Sequence, residues 1–212
     1  IQLFVFDLDG VLTETSEQHY QAWKQLADEL DIVIDRSFNE QLKGVSRMDS
    51  LARILRHGNK EHEFSVDQRT ALATKKNRNY QTMIAAFTPS HLFDGVIDLL
   101  EELKDRGIKI ALGSASKNGP RLLDALGITG YFDYVVNPAE VRGKPHPDIF
   151  LKACGELGVD PAHAVGVEDA TSGIAAIKAA GMFAIGIGDA TTLAEADIVY
   201  PETKYIHLED IQ

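Results

Sequence analysis

Phe4-Val5-Phe6-Asp7-Leu8-Asp9-Gly10-Val11-Leu12-Thr13 is the stretch on which the reading of this chain turns. An apolar run ends at two carboxylates spaced two apart, and a glycine follows at once. A short, continuously apolar run beside a turn signal reads as a strand covered on both faces. Open α/β sheets bind ligands at the carboxyl ends of their strands, which is where Asp7 and Asp9 fall. Beyond the strand the side chains need not alternate, so both carboxylates can approach one centre. Two such charges repel unless a cation or a shared proton relieves them, and Mg²⁺ is a hard cation that takes oxygen ligands.

Outward from this stretch, apolar runs at 108–113, 134–136, 164–167, 183–187 and 198–200 read as further strands. Helical patterns at 96–104, 120–126, 147–157 and 173–180 alternate with them. That alternation predicts an α/β fold, a mostly parallel sheet with helices on both faces. Residues 15–87 break the pattern. Tyr20, Trp23, Ala27 and Leu30 make one apolar stripe at helical spacing, and Leu51, Ile54 and Leu55 make another. A helical cap domain, residues 15–87, is therefore expected to interrupt a core formed by 1–14 and 88–212, joined near Glu14 and near Thr88-Pro89, where it can work as a lid.

Three later strand ends or loops carry compatible chemistry. Gly113-Ser114-Ala115-Ser116-Lys117-Asn118 ends a strand in a hydroxyl-rich turn, with Pro120 where the next helix should begin. Free N–H groups and a hydroxyl at such a place suit a phosphate oxygen. In Arg142-Gly143-Lys144-Pro145-His146-Pro147 a lysine sits on a restricted backbone, useful for aiming an ammonium at a phosphoryl group; His146 reads as a surface residue. Glu168 and Asp169 close another buried run and would complete an oxygen cage for Mg²⁺ with Asp7 and Asp9.

The composition excludes several partners. A net charge of -11 over 212 residues argues against nucleic acid and against an anionic membrane surface. No apolar stretch reaches the ~20 residues of a membrane span, and nothing resembles a cleavable signal. The sequence opens on Ile1 rather than Met, so a few residues are expected to precede it. Cys154, the single cysteine, cannot form an internal disulfide, reads as a small core residue, and suits a reducing cytoplasm.

Taken in this order, the four elements resemble the motifs of the haloacid dehalogenase superfamily of phosphotransferases: D-x-D-G-[VI]-x-T, a hydroxyl residue after the second strand, a lysine, and a late acidic pair. The resemblance covers the whole chain. It implies a HAD-like, Rossmann-type core, with Asp7 as nucleophile and Asp9 as general acid/base. It further implies that Ser114 and Lys144 hold the transferring phosphoryl group. Mg²⁺ would be bound by Asp7, the backbone carbonyl of Asp9, and Asp169, with Glu168 beside it.

The insert points to a branch of that superfamily. Thr15 and His19 are four apart and share a helical face. In Gln41-Leu42-Lys43-Gly44-Val45-Ser46-Arg47-Met48-Asp49-Ser50, Gly44 can end one helix and Ser46 with Asp49 can cap the next. Lys43 and Arg47 flank that helix start, and Lys75-Lys76-Asn77 adds cations further on. Residues 6–13, His19 and Trp23, 39–47, Lys76-Asn77, 114–120 and 131–140 are similar to the sugar-phosphate mutases of the superfamily, whose small lidded members are often monomers.

That likeness implies interconversion of β-D-glucose 1-phosphate and glucose 6-phosphate through an aspartyl-phosphate and β-glucose 1,6-bisphosphate. Thr15 and His19 would join the catalytic set. Arg47, Ser116, Lys117 and Asn118 would hold the non-transferring phosphate. Lys43, Gly44, Val45, Ser50 and Lys76 would meet sugar hydroxyls, with Trp23, Leu42, Ser46 and Ala115 completing the substrate contacts. Glu14 and Ala170 depart from the pattern at positions that carry no chemistry. A sugar-phosphate phosphatase with the same four motifs is the alternative.

Overall fold

The computed structural model describes residues 1–43 and 45–211. By chain order, β1 (Leu3–Phe6) leads into four helices, α1 (Ser16–Glu29), α2 (Arg36–Glu40), α3 (Arg47–His57) and α4 (Val66–Ile84). Strands and helices then alternate: α5 (Val96–Asp105), β2 (Lys109–Leu112), α6 (Gly119–Ala125), β3 (Tyr134–Val135), α7 (Asp148–Leu157), β4 (Ala164–Glu168), α8 (Thr171–Ala179), β5 (Phe183–Ile187) and β6 (Ile198–Tyr200). The chain divides into two compact units, Ile1–Glu14 with Phe87–Gln212, and Thr15–Ala86.

Among the described residues of the first unit, six strands form one sheet in the order β3-β2-β1-β4-β5-β6. Every pairing is parallel. The expected α/β core is what forms, and β1, the most apolar run, lies centrally with β2 and β4 on either side. Alternation within β1 sends Leu3 and Val5 into a cluster with Phe150, Ala153, Ile174 and Ile177, the apolar faces of α7 and α8. Phe4 and Phe6 point to the opposite face and are equally buried. Each such side chain contributes about 1.5–3 kcal/mol of burial. Cys154 lies in the same cluster, where burial pushes its thiol up to about 11, so it is an inert packing group.

Some ends shift by a residue for local reasons. β4 runs on to Glu168, which pairs in register with Gly186 despite its charge. α6 starts at Gly119 with Pro120 in its first turn, where a missing N–H costs nothing.

In the second unit Trp23, Leu26 and Ala27 of α1 share one apolar cluster with Leu51, Ile54 and Leu55 of α3 and Ala73 of α4, and α4 is the helix that packs against both α1 and α3. Leu30 ends α1 as its C-cap and is only partly buried, because the stripe turns toward Leu26 instead. α3 begins as expected at Arg47, with the Ser46 hydroxyl accepting the Asp49 N–H at 3.2 Å. A full reciprocal box forms elsewhere, at Ser65 and Gln68 opening α4. Among the described residues no helix is long and apolar enough to cross a membrane.

Candidate active site

Three neighbouring strand ends build the core site. Asp7 follows β1 directly, and its N–H still donates to Val167 O of β4 at 3.0 Å. Gly113, just past β2, donates its N–H to Phe6 O at 2.8 Å. These ladder bonds fix Asp7, Ser114 and the Glu168-Asp169 pair at one edge of the sheet. Carboxylate oxygens of Asp7, Glu168 and Asp169 lie within 4.8 Å of one another.

Lys144 enters this acidic group from the loop before α7. Its ammonium lies 3.4 Å from an Asp7 oxygen, donates to Gly113 O at 2.8 Å, and forms a close ion pair with Glu168. Burial pulls this ammonium down, but the Asp7 and Glu168 charges outweigh it and hold Lys144 above its ordinary range. Glu168 is pushed upward by complete burial and by the Asp7 charge, with Lys144 opposing. Asp169 has more of its surface open to water, yet withdrawal of its carboxyl and the Asp7 charge push it up to about 7. Three carboxylates with one ammonium therefore leave uncompensated negative charge, and an all-oxygen donor set of this size suits a hard divalent cation.

Glycine has a specific task beside this group. A Cβ at Gly173, in the first turn of α8, would fall 2.0 Å from the Glu168 carboxyl carbon. Only a glycine lets the helix start press against that carboxylate.

After β2, the Ser114 hydroxyl accepts the Ser116 N–H at 3.1 Å, and the Ser116 hydroxyl accepts the Asn118 N–H at 3.2 Å. Ser114 and Asn118 are buried, while Ala115 and Lys117 are exposed. Asn118 occupies the N-cap of α6 without a side-chain capping bond.

In the helical unit a second polar group forms between α1 and α4. The His19 ring stacks on Tyr80 at 4.0 Å between centroids, and its Nδ1 lies 3.1 Å from Lys76 Nζ. An ammonium can only donate, so Nδ1 accepts and the ring proton sits on Nε2. Burial, with the Lys76 and Arg47 charges, holds His19 far down, at about 3. The Lys76 ammonium also lies 4.6 Å over the Trp23 ring and 5.0 Å over Tyr80. A buried cation on two aromatic faces is well stabilised.

The structure thus brings Asp7, Lys144, Glu168 and Asp169 together in the core, and His19, Trp23 and Lys76 together in the insert. Arg47 is half-buried at the start of α3, and burial lowers its guanidinium. Ser50 and Leu42 are buried, Val45 half-buried, and Ser46 is used as a cap. Thr15 is the N-cap residue of α1, and its carbonyl accepts the His19 N–H at 3.0 Å. Lys43, expected at sugar hydroxyls, is paired 2.9 Å from Glu40 on an exposed turn. Gly44 lies outside the described residues. Glu168, expected beside the metal, is also the principal partner of Lys144. Tyr80 and Gly173 were missed; Tyr80 follows Lys76 by one helical turn, a spacing that could have found it, whereas nothing local marks Gly173.

A site of this kind defines a class of protein. The family of haloacid dehalogenase-like hydrolases matches residues 1–181, and the chain belongs to it. The chain is 46% identical over 206 residues to β-phosphoglucomutase of Bacillus subtilis (strain 168), covering 97% of this chain and 91% of that one. Its structure is similar to that of β-phosphoglucomutase from Clostridium difficile, with a TM-score of 0.93, 44% identity, and coverage of 100% and 96%. It is also 33% identical to the validoxylamine A 7'-phosphate phosphatase of Streptomyces hygroscopicus subsp. limoneus, over 96% of each chain.

Proposed function

We propose that the protein is a β-phosphoglucomutase, interconverting β-D-glucose 1-phosphate and D-glucose 6-phosphate through an aspartyl-phosphate and β-D-glucose 1,6-bisphosphate. The observation that carries phosphoryl transfer is the 3.4 Å approach of Lys144 to Asp7 at the end of the central strand. The mutase outcome is supported by 46% identity to a β-phosphoglucomutase along almost the whole chain, against 33% to the phosphatase.

In this reading an Asp7 oxygen attacks phosphorus while Lys144 offsets the charge on the transferring group, with Ser114 beside it. Asp9 gives a proton to the departing sugar oxygen, and in the return half-reaction takes one from the incoming hydroxyl. Asp7, Asp169 and the Asp9 carbonyl, with Glu168 adjacent, would hold Mg²⁺. When bound, the cation offsets the repulsion between carboxylate and phosphate. In the core, Ser116, Lys117 and Asn118 would bind the phosphate that stays in place; in the insert, Arg47 would bind an anion, and Lys76, held by His19 and Trp23, would meet sugar hydroxyls. The enzyme would work in the cytoplasm as a monomer.

The test is an assay with β-glucose 1-phosphate, Mg²⁺ and a trace of the 1,6-bisphosphate, following glucose 6-phosphate and free phosphate together. Glucose 6-phosphate is expected to accumulate far faster. Dominant phosphate release would instead make the protein a sugar-phosphate phosphatase using the same core residues.

A further inference from the structure

The loop that carries Asp9 is wound on itself and then tied to two distant parts of the chain. Inside it, Leu8 O accepts the Leu12 N–H at 2.9 Å, and Gly10 N–H donates to Thr13 O at 2.8 Å. Outside it, Leu12 O accepts the Phe93 N–H at 2.9 Å, and the Thr13 hydroxyl donates to His91 O at 2.6 Å. One carbonyl of this loop is met by a side chain: Val11 O accepts the Thr203 hydroxyl at 2.6 Å across 192 residues of sequence. Val11 and Thr13 are fully buried, and Thr203 is 2% exposed.

The approach of Thr203 is built into the fold. It opens a short 3-10 turn, Thr203–Tyr205, that follows β6. The next residue, Lys204, presses its backbone against Gly95, where a Cβ would lie 2.8 Å from the Lys204 Cα. Gly95 also has φ +80°, a left-handed conformation that a side chain would strain. A glycine therefore lets the turn seat closely enough for the hydroxyl to reach Val11. The bond lands two residues after Asp9 in the chain.

We propose that Thr203 is a positioning residue for Asp9, holding the loop so that the Asp9 carboxyl is aimed at the sugar oxygen during proton transfer. The inference rests on the reading of Asp9 as general acid given above. Thr203 touches neither phosphate nor sugar in this account; it acts through the Val11 carbonyl and the backbone between.

Leaving-group chemistry separates this from a merely structural role. When Asp7 takes the phosphoryl group from β-glucose 1,6-bisphosphate, the P–O bond breaks toward an alkoxide that must receive the Asp9 proton. When Asp7 takes it from acetyl phosphate, acetate departs and needs no proton. Both reactions leave the same aspartyl-phosphate, so its appearance after rapid quenching, read by intact mass with Mg²⁺ present, compares them directly. Thr203→Val keeps the shape and removes the donor. It is expected to slow transfer from the bisphosphate by roughly 10- to 100-fold, with a change of less than about threefold from acetyl phosphate. Thr203→Ser should restore the bisphosphate rate. Thr203→Cys, whose thiol donates weakly, should fall between and replaces the valine variant if that does not fold.

Equal slowing with both donors, or with neither, overturns the proposal. Asp9→Asn distinguishes the two possible failures. If it shows the leaving-group dependence and Thr203→Val does not, only the positioning role falls. If Asp9→Asn slows both donors alike, the reading of Asp9 as the acid falls first.

Discussion

The Lys144 ammonium lies 3.4 Å from Asp7 while it is ion-paired to Glu168, so one cation serves carboxylates at the ends of two adjacent strands. The Lys144 side chain is 10% exposed and that of Glu168 1%. Breaking a buried pair by removing one partner costs about 3–5 kcal/mol, because the other charge is left uncompensated. Lys144→Met is expected to lose roughly that much stability in urea titration and to abolish turnover. Adding Glu168→Gln should return most of the stability and none of the activity. A double variant as unstable as the single one would show that the pair is not the source of the loss.

Gly173→Ala should behave against the usual rule. Within a helix, alanine is better than glycine by about 1 kcal/mol. Here the new methyl would meet the Glu168 carboxyl at 2.0 Å, and Glu168 cannot move without releasing Lys144. Overpacking of this kind costs about 1–3 kcal/mol. The variant is expected to melt lower than the parent and to turn over more slowly; a higher melting temperature would refute the tight seat assigned to α8.

The acidic group gives the metal-free chain a definite pH dependence. Asp169 stands at about 7, and Glu168 is raised as well. The Asp169 carboxyl keeps its proton in the folded chain at pH values where the unfolded chain has lost it. This contribution to stability is full below about pH 4 and is lost as the pH rises through 7. Melts in EDTA should therefore fall over that interval, and fall less for Asp169→Asn. Binding of Mg²⁺ favours the ionised carboxylates, so its stabilising shift should be larger near pH 8 than near pH 5. A shift independent of pH would contradict metal binding at Asp169.

His19 gives a signal of its own in the insert. With its pKa held to about 3, the ring stays neutral across ordinary working pH, protonated on Nε2. The unfolded ring titrates near 6.5, so the stability it contributes is full above that value and is lost as the pH falls toward 3. Nitrogen NMR of labelled imidazole should show one tautomer with no titration down to about pH 5. A midpoint near 6.5 would mean that Nδ1 does not accept from Lys76.

How far the sequence could be read depends on the range of each signal. The runs of β1 and β6 are bounded by Gln2 and Asp7 and by Asp197 and Pro201, residues that do not continue a buried strand, so their limits were local facts. The same holds for α3, whose start is marked by Ser46. Glu168 misled the reading of β4 by one residue, because charge normally ends a buried strand and its neutralising partner, Lys144, is 24 residues away. The closeness of Asp7 to Asp169 comes from β1 lying beside β4, a parallel pairing across more than 150 residues that no local pattern records. Thr203, Gly95 and Gly173 were out of reach for the same reason: each matters through one contact with a remote segment.

The bond from Thr13 to His91 has a further consequence. It fastens together the two points between which the chain makes its long helical excursion, so the core closes its own gap. Lengthening an excursion whose ends are already fastened is cheap: doubling a flexible loop adds only about 0.6 kcal/mol of closure entropy. The central strand and its carboxylates are thereby insulated from the size of whatever is inserted. Such a joint is a natural grafting point, through which one phosphoryl-transfer centre can acquire new substrates by exchanging helices rather than by rebuilding its chemistry.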